Sequence, residues 1–310
     1  MKLRFLGTSA GTPTRQRNVT AQAVRFDHGA LWLLDCGEGT QHRAMAAGLP
    51  GSKVERILIT HLHGDHCLGL PGFLSWIGIH GRTESVEVVG PRGIDELLHT
   101  VLRLTSAELP FPLCITELDE AVDLPALRGW RVLARPIVHR VPCFGYVLVE
   151  EDRPGKFHED RARRLGLPHD AQRMALLRGE PVRLADGTII LPSDVCDPPR
   201  RGRRLVLLGD TSDPEGIAAA AKDCDLLVCE ATYADDRAAK ADQWGHMTAG
   251  ATGAFAHRIG ARRLALTHFS ARYTDSRLDQ GLDLLLAQAR AQAPGVDVVA
   301  ADDHLEVDIS

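Results

Sequence analysis

Residues 58–72 read LITHLHGDHCLGLPG, where an apolar run stops and His61, His63, Asp65 and His66 crowd into six positions. Neutral imidazole and carboxylate are the side chains that Zn²⁺ accepts as ligands. In extended or turning backbone, side chains two apart point the same way. His61 and His63 can therefore reach one ion, while Asp65 and His66 face a second. A polar loop that happens to be rich in histidine is the plain alternative, and the density of donors directly behind a β-branched run argues against it. Two ions need more ligands than one loop supplies. Three further donors stand in the same kind of place, each directly behind an apolar run: His139 after RPIV, Asp210 after LVLLG and His268 after LALT. Singly each is weak, because a histidine at a strand end is usually just hydrogen-bonded; as a set they are stronger. Asp210 is the best bridging candidate, since a carboxylate has two oxygens to offer two ions.

Such donors need a rigid frame. Short β-type runs fall at 3–6, 21–26, 31–34, 54–59, 86–89, 130–137, 146–149, 205–208, 226–229, 264–267 and 296–299. Helical patterns are expected at 38–47, 94–104, 214–222, 249–259 and 279–291. This alternation in both halves predicts two packed sheets with helices outside. The stretch 151–204 breaks the rhythm: it is rich in proline, glycine and charge, with one expected helix at 170–177. Such an insertion is functional, disordered or a mere surface excursion.

Charge separates that stretch further. Between Arg153 and Arg204 there are 12 Lys and Arg against 7 Asp and Glu, so a local +5 within a total of −5 leaves −10 for the rest. An acidic body with one basic segment is a different object from a uniformly basic nucleic-acid binder. The 44% hydrophobic and 25% charged shares belong to a globular chain with a substantial core. No apolar stretch approaches the roughly 20 residues that a bilayer span needs. The amino terminus reads as a first strand rather than a signal peptide. Seven cysteines with no Cys-x-x-Cys pair read as reduced thiols, which points to the cytoplasm.

THLHGDHCLGLPG resembles the His-x-His-x-Asp-His signature of the metallo-β-lactamase superfamily, and its Gly-Leu-Pro-Gly tail at 69–72 is similar to the ribonuclease Z family within it. Matches run nearly end to end: FLGTSAGTPTRQRN at 5–18, DCGEGTQHR at 35–43, VHRVPCFGY at 138–146, LLGDTS at 207–212, CEATY at 229–233, GHMTAG at 245–250 and LTHFSARY at 266–273. The resemblance implies a four-layer αββα sandwich over 1–310 with a protruding, flexible basic arm at 151–204. It implies two Zn²⁺ per subunit, other divalent metals being possible, and no organic cofactor. His61, His63 and His139 would hold one ion, Asp65, His66 and His268 the other, with Asp210 between them. Precursor tRNA would be the substrate of a homodimer in which one subunit's arm grips the tRNA cut by the other. The chain departs from the family pattern twice: Arg15 stands where lysine is usual, and LPHDAQRMALL at 167–177 replaces a Gly-Pro element of the arm.

The reaction so implied is an in-line displacement that leaves a 3′-hydroxyl on the tRNA and a 5′-phosphate on its trailer. Two metal ions clamp the attacking and leaving oxygens of such a displacement. Asp65 would accept the water's proton, and His246, oriented by Glu230, would protonate the leaving oxygen; a structural carboxylate is the alternative for Glu230. Arg15 and Arg17 of the TPTRQRN loop, with Lys156, Arg161, Arg163 and Arg164 of the arm, are the expected substrate contacts. A small-ester, sulfate-ester or thioester hydrolase on the same fold is the competing reading, since fold does not choose substrate. An RNA-binding protein without catalysis is a third, opposed by the intact ligand set. The arm and the TPTRQRN loop discriminate, because a small substrate requires neither.

Overall fold

The computed structural model describes residues 1–167, 171–274 and 281–309. The strands are β1 (Lys2–Gly7), β2 (Ala21–Arg25), β3 (Leu31–Leu34), β4 (Val54–Leu58), β5 (Val86–Pro91), β6 (Leu113–Leu118), β7 (Val122–Leu127), β8 (Trp130–Ile137), β9 (Cys143–Glu150), β10 (Val182–Arg183), β11 (Ile189–Ile190), β12 (Arg204–Leu207), β13 (Leu226–Glu230), β14 (Arg263–Thr267), β15 (Asp297–Ala300) and β16 (Glu306–Asp308). Among the described residues they form two seven-stranded sheets, ordered β16-β1-β2-β3-β4-β5-β6 and β15-β14-β13-β12-β9-β8-β7, and the small pair β10-β11. In the first sheet β3 to β6 run parallel. In the second, β12 to β15 do. Parallel strands are covered on both faces, which is why β13 is buried at all five positions.

Helices close the outer layer. Leu70, Phe73, Leu74 and Ile77 of the helix Leu70–Ile79, with Ile94 and Leu98 of the helix Ile94–Leu104, pack on Leu31, Leu33, Ile57, Val86 and Val88. The alternate residues Leu34, Leu58 and Val89 are buried on the opposite face, as strand periodicity requires. The helices Ala249–Arg258 and Leu282–Gln292 pack on each other beside β13 to β15. The helix expected at 279–291 thus begins later; residues 279 and 280 lie outside the described residues. The edge strands β6 and β7 and the helix Leu70–Ile79 were not expected. The two strands mix polar with apolar residues and are largely uncovered, and the helix hides in a run interrupted by Pro71 and two glycines.

The chain divides into two compact units. The larger comprises Met1–Ala126, Arg131–Leu148 and Arg204–Ser310; the smaller comprises Leu127–Trp130 and Val149–Arg203. The smaller unit has its own core of Ala162, Leu176, Val182, Ile190, Val195 and Cys196. That core is built by the short helices Glu159–Arg164, Ala171–Leu177 and Pro192–Val195 and by the pair β10-β11. The expected helix at 170–177 is there from Ala171, while residues 168–170 of the altered arm element lie outside the described residues. At the base of this unit Glu150 accepts bonds from Arg153 Nε at 3.0 Å and Arg203 Nε at 2.8 Å. Burial pushes its carboxyl up, but the two guanidinium groups more than reverse this and hold it at about 2.

Candidate metal centre

The donors gather where parallel strands end. His61 lies three residues past β4, Asp210 three past β12, and His268 directly follows β14. Register aligns them: Leu207 pairs with Val228 and Glu230 with Thr267, so Asp210 and His268 leave the sheet at nearly the same level. His139 follows β8, and Val138 beside it exchanges backbone bonds with Ser212 and Asp213 of the Asp210 loop. His63 is extended (φ −66, ψ 146) and caps the one-turn helix Gly64–Cys67, which swings Asp65 and His66 to the other side. That turn is pressed against the segment after β3. A Cβ on Gly69 would stand 2.0 Å from the Gly37 carbonyl oxygen, so glycine is required there.

One donor atom from each of His61, His63, His139 and Asp210 lies within 4.8 Å of the others, and the same holds for Asp65, His66 and His268. Asp210 faces both groups: Oδ2 is 3.7 Å from His61 Nε2, while Oδ1 is 3.4 Å from His66 Nε2 and 3.3 Å from His268 Nε2. All seven residues expected as ligands therefore lie together, and a further group, Asp210 with His246 and His268, overlaps them.

The far nitrogen of four rings is held by protein oxygens. His66 Nδ1–H donates to Asp35 Oδ2 at 2.7 Å and His139 Nδ1–H to the Gly245 carbonyl at 2.7 Å. Thr60 Oγ1 donates to Asp35 at 2.9 Å, which leaves it to accept from His61 Nδ1 at 3.0 Å. Thr232 Oγ1 likewise donates to Glu230 and accepts from His268 Nδ1 at 3.0 Å. Each of these rings thus turns its Nε2 inward, the nitrogen through which such an imidazole can bind a metal.

Electrostatics fit a divalent cation. Burial, with the neighbouring imidazoles, lowers His61, His63 and His139, which keeps all three neutral, the state a metal ligand requires. Burial would lower His66 too, but Asp210 and Asp35 raise it well above its ordinary value. Asp210 is held well below the carboxylate range by the imidazoles around it, against its burial. The carboxylates of Asp35, Asp65 and Asp210, gathered around these imidazoles, concentrate negative charge that a bound cation would neutralise.

Beside this centre His246 Nδ1 lies 3.0 Å from Glu230 Oε1. Burial would depress the imidazole, but the Glu230 carboxylate lifts it to about 9. Glu230 is fully buried and also accepts from Thr211 N at 2.8 Å and from Thr232. Asp65 Oδ2 accepts from Gly11 N at 2.8 Å, which ties the first sequence motif to the centre. Burial pushes Asp65 up, yet His268 and His66 hold it far below the usual carboxylate range. The cleft, ≈ 330 Å³, is lined among others by Asp65, Asp210, His246 and His268.

The expected substrate contacts divide. Arg15 is exposed, as are Lys156, Arg161, Arg163 and Arg164 within the smaller unit. Arg17 is instead buried, at 7% exposure. Its Nη1 donates to Thr8 Oγ1 at 2.6 Å and to the Ala301 carbonyl at 2.8 Å, Nη2 pairs with Asp302 at 3.3 Å, and Phe269 lies under it. It clamps the loop from inside rather than reaching outward. Sequence reasoning also passed over Asp35, Thr60 and Thr232. Asp35 ends the apolar run LWLL and so met the strand-end rule; the threonines gave no signal.

The metallo-beta-lactamase superfamily matches residues 14–135, and a beta-lactamase superfamily domain matches residues 196–269. The chain is 43% identical to ribonuclease Z of Myxococcus xanthus, over 97% of this chain and 96% of that one. It is 39% identical to ribonuclease BN of Cronobacter sakazakii over the full length of both. The crystal structure of human tRNase Z, short form, superposes with a TM-score of 0.72 at 28% identity, covering 100% of each chain.

Proposed function

The chain belongs to the ribonuclease Z family of the metallo-β-lactamase superfamily and is a metal-dependent hydrolase, and on that premise we propose that it removes the 3′ trailer from precursor tRNA. The products are a tRNA body ending in a 3′-hydroxyl and a trailer beginning with a 5′-phosphate. The observation that carries this reading is the pairing of His246 with Glu230 at 3.0 Å, beside a carboxylate that faces two sets of histidines. A hydrolase needs the second feature; a leaving ribose oxygen needs the first.

His61, His63 and His139 would hold one divalent ion, Asp65, His66 and His268 a second, and Asp210 would be shared. When bound, two ions, zinc in this reading, neutralise phosphate charge and acidify the attacking water. Asp65 takes the proton of that water, and the Gly11 N–H keeps its carboxylate aimed. Glu230 holds Nδ1 of His246, which leaves Nε2 to hand a proton to the departing 3′-oxygen. Arg15, Lys156, Arg161, Arg163 and Arg164 supply positive charge for RNA phosphates; Arg17 keeps the loop in shape. The homodimer rests on the family resemblance alone, and the cytoplasmic location on the reading of seven cysteines as reduced thiols.

The test is incubation of the zinc-loaded protein with a 3′-extended precursor tRNA and mapping of both new ends. A 3′-hydroxyl and a 5′-phosphate at one internal position are expected. An untouched precursor, with brisk hydrolysis of a small ester, would transfer the assignment to a small-substrate hydrolase.

A further inference from the structure

The mouth of the cleft carries two groups that neither reach the candidate ligands nor move a proton in that scheme. Trp244 ends the helix Ala238–Trp244 and is 45% exposed. The exposed Arg140 lies over it, with the guanidinium carbon 4.9 Å from the ring centroid. Both line the cleft together with Asp65, Asp210 and His246. An indole left half in water beside so polar a site covers no core; it offers a flat apolar face with a planar cation beside it. Nucleobases are flat, and each stacks on such a face regardless of sequence, while guanidinium serves both base and phosphate.

The ring is also indexed to the reacting groups. Gly245 follows it with φ +74, and its carbonyl accepts the His139 Nδ1–H at 2.7 Å. A Cβ on Gly245 would stand 2.9 Å from that same nitrogen. His246 comes next, its backbone N–H bonded to the Ala241 carbonyl at 2.9 Å. A single residue therefore separates the indole from the imidazole that serves the leaving group, and its carbonyl is bonded to a candidate metal ligand. An aromatic surface so fixed sets distance as well as affinity.

We propose that Trp244 and Arg140 form a stacking ledge for the unpaired nucleobase that adjoins the scissile phosphate, a role that rests on the tRNA-cleaving reading above. The ledge holds the nucleotide chain in line with His246 and is indifferent to which base it receives.

The experiment uses the full chain, loaded with zinc, and three precursor tRNAs: intact, or with one abasic nucleotide on the 5′ or the 3′ side of the cut. Trp244→Ala should lower kcat/KM on the intact precursor by about tenfold to a hundredfold, chiefly through KM. One of the two abasic precursors should cost the wild type a similar factor and cost Trp244→Ala nothing further, and that precursor identifies the stacked nucleotide. Trp244→Leu keeps apolar bulk without a plane and should behave like the alanine variant, whereas Trp244→Phe should stay within a few-fold of wild type. Equal zinc content and melting temperature establish that each variant is folded. The ledge is overturned if Trp244→Leu cleaves as wild type does, or if both abasic precursors penalise wild type and Trp244→Ala alike. A wild type that ignores all three precursors but hydrolyses a small phosphodiester overturns the tRNA-cleaving reading instead.

Discussion

The metal centre and the smaller unit solve opposite problems. At the centre His61, His66, Asp35, Asp210 and His268 are buried, and ring after ring has its outer nitrogen held by a protein oxygen. In the smaller unit a cluster of six buried residues makes the core among the described residues, and Lys156, Arg161, Arg163 and Arg164 stand in solvent. The difference is one of required precision. Ligands must be fixed to fractions of an ångström, so they grow from the ends of parallel strands and are braced from behind. Positive charge offered to RNA phosphates acts by releasing counterions, so the number of cations matters more than the pose of any one. On the tRNA-cleaving reading, a thin core is enough to present them.

This contrast predicts how each region breaks. Asp65→Ala should have the largest effect, a loss of about 10³-fold or more in turnover with the protein still folded, because ligand and base are removed together. Activity within a few-fold of wild type at equal metal content would show that Asp65 is neither. Next, replacing residues 157–200 by a short Gly/Ser linker should lower precursor tRNA cleavage by about 10²-fold or more. Hydrolysis of a small chromogenic phosphodiester should persist, and the salt dependence of tRNA binding should flatten. Normal processing by the shortened protein would remove the arm from the account of recognition. Asp35→Asn tests the bracing itself: an amide set against the donors of Thr60 and His66 should weaken metal affinity about 10- to 100-fold in a chelator competition. Unchanged affinity would mean that the buried carboxylate does nothing for its histidine.

The smallest effect concerns the smaller unit's base. Glu150 is held at about 2 against an ordinary 4.5. A carboxyl whose folded pKa is depressed stabilises above its unfolded value and loses that stabilisation as pH falls toward the folded one. Glu150→Gln should therefore make the smaller unit more sensitive to proteolysis at neutral pH. The gap from wild type should close as pH drops from about 4.5 to about 2. A gap that stays constant with pH would sever Glu150 from Arg153 and Arg203.

Much of the centre was legible because its logic is one-dimensional: an apolar run followed at once by a donor marks a strand end, and His61, His139, Asp210 and His268 obey that rule. What supports them is not legible that way. Thr60 and Thr232 act through single hydroxyls placed by tertiary contact, and threonine at a strand end is unremarkable. Asp35 satisfied the rule but braces a candidate ligand, a distinction that only its distance to His66 reveals. Arg17 misled for a related reason: a basic loop suggests outward charge, and nothing in the letters announces an acceptor near residue 301. The smaller unit hid its structure in short helices and two-residue strands, too brief for periodicity to register.

The threonine-held rings have a consequence for binding. Thr60 and Thr232 each spend their only hydrogen on a buried carboxylate, Asp35 and Glu230, and so can only receive one from the neighbouring imidazole. His61 and His268 are thereby confined to one tautomer and one ring orientation before any ion arrives. The entropy of ordering those rings is lost during folding, when the sheets close, rather than at the moment of capture. An arriving ion then meets side chains with little freedom left to surrender, and its affinity reflects its bonds more nearly than the cost of arranging them.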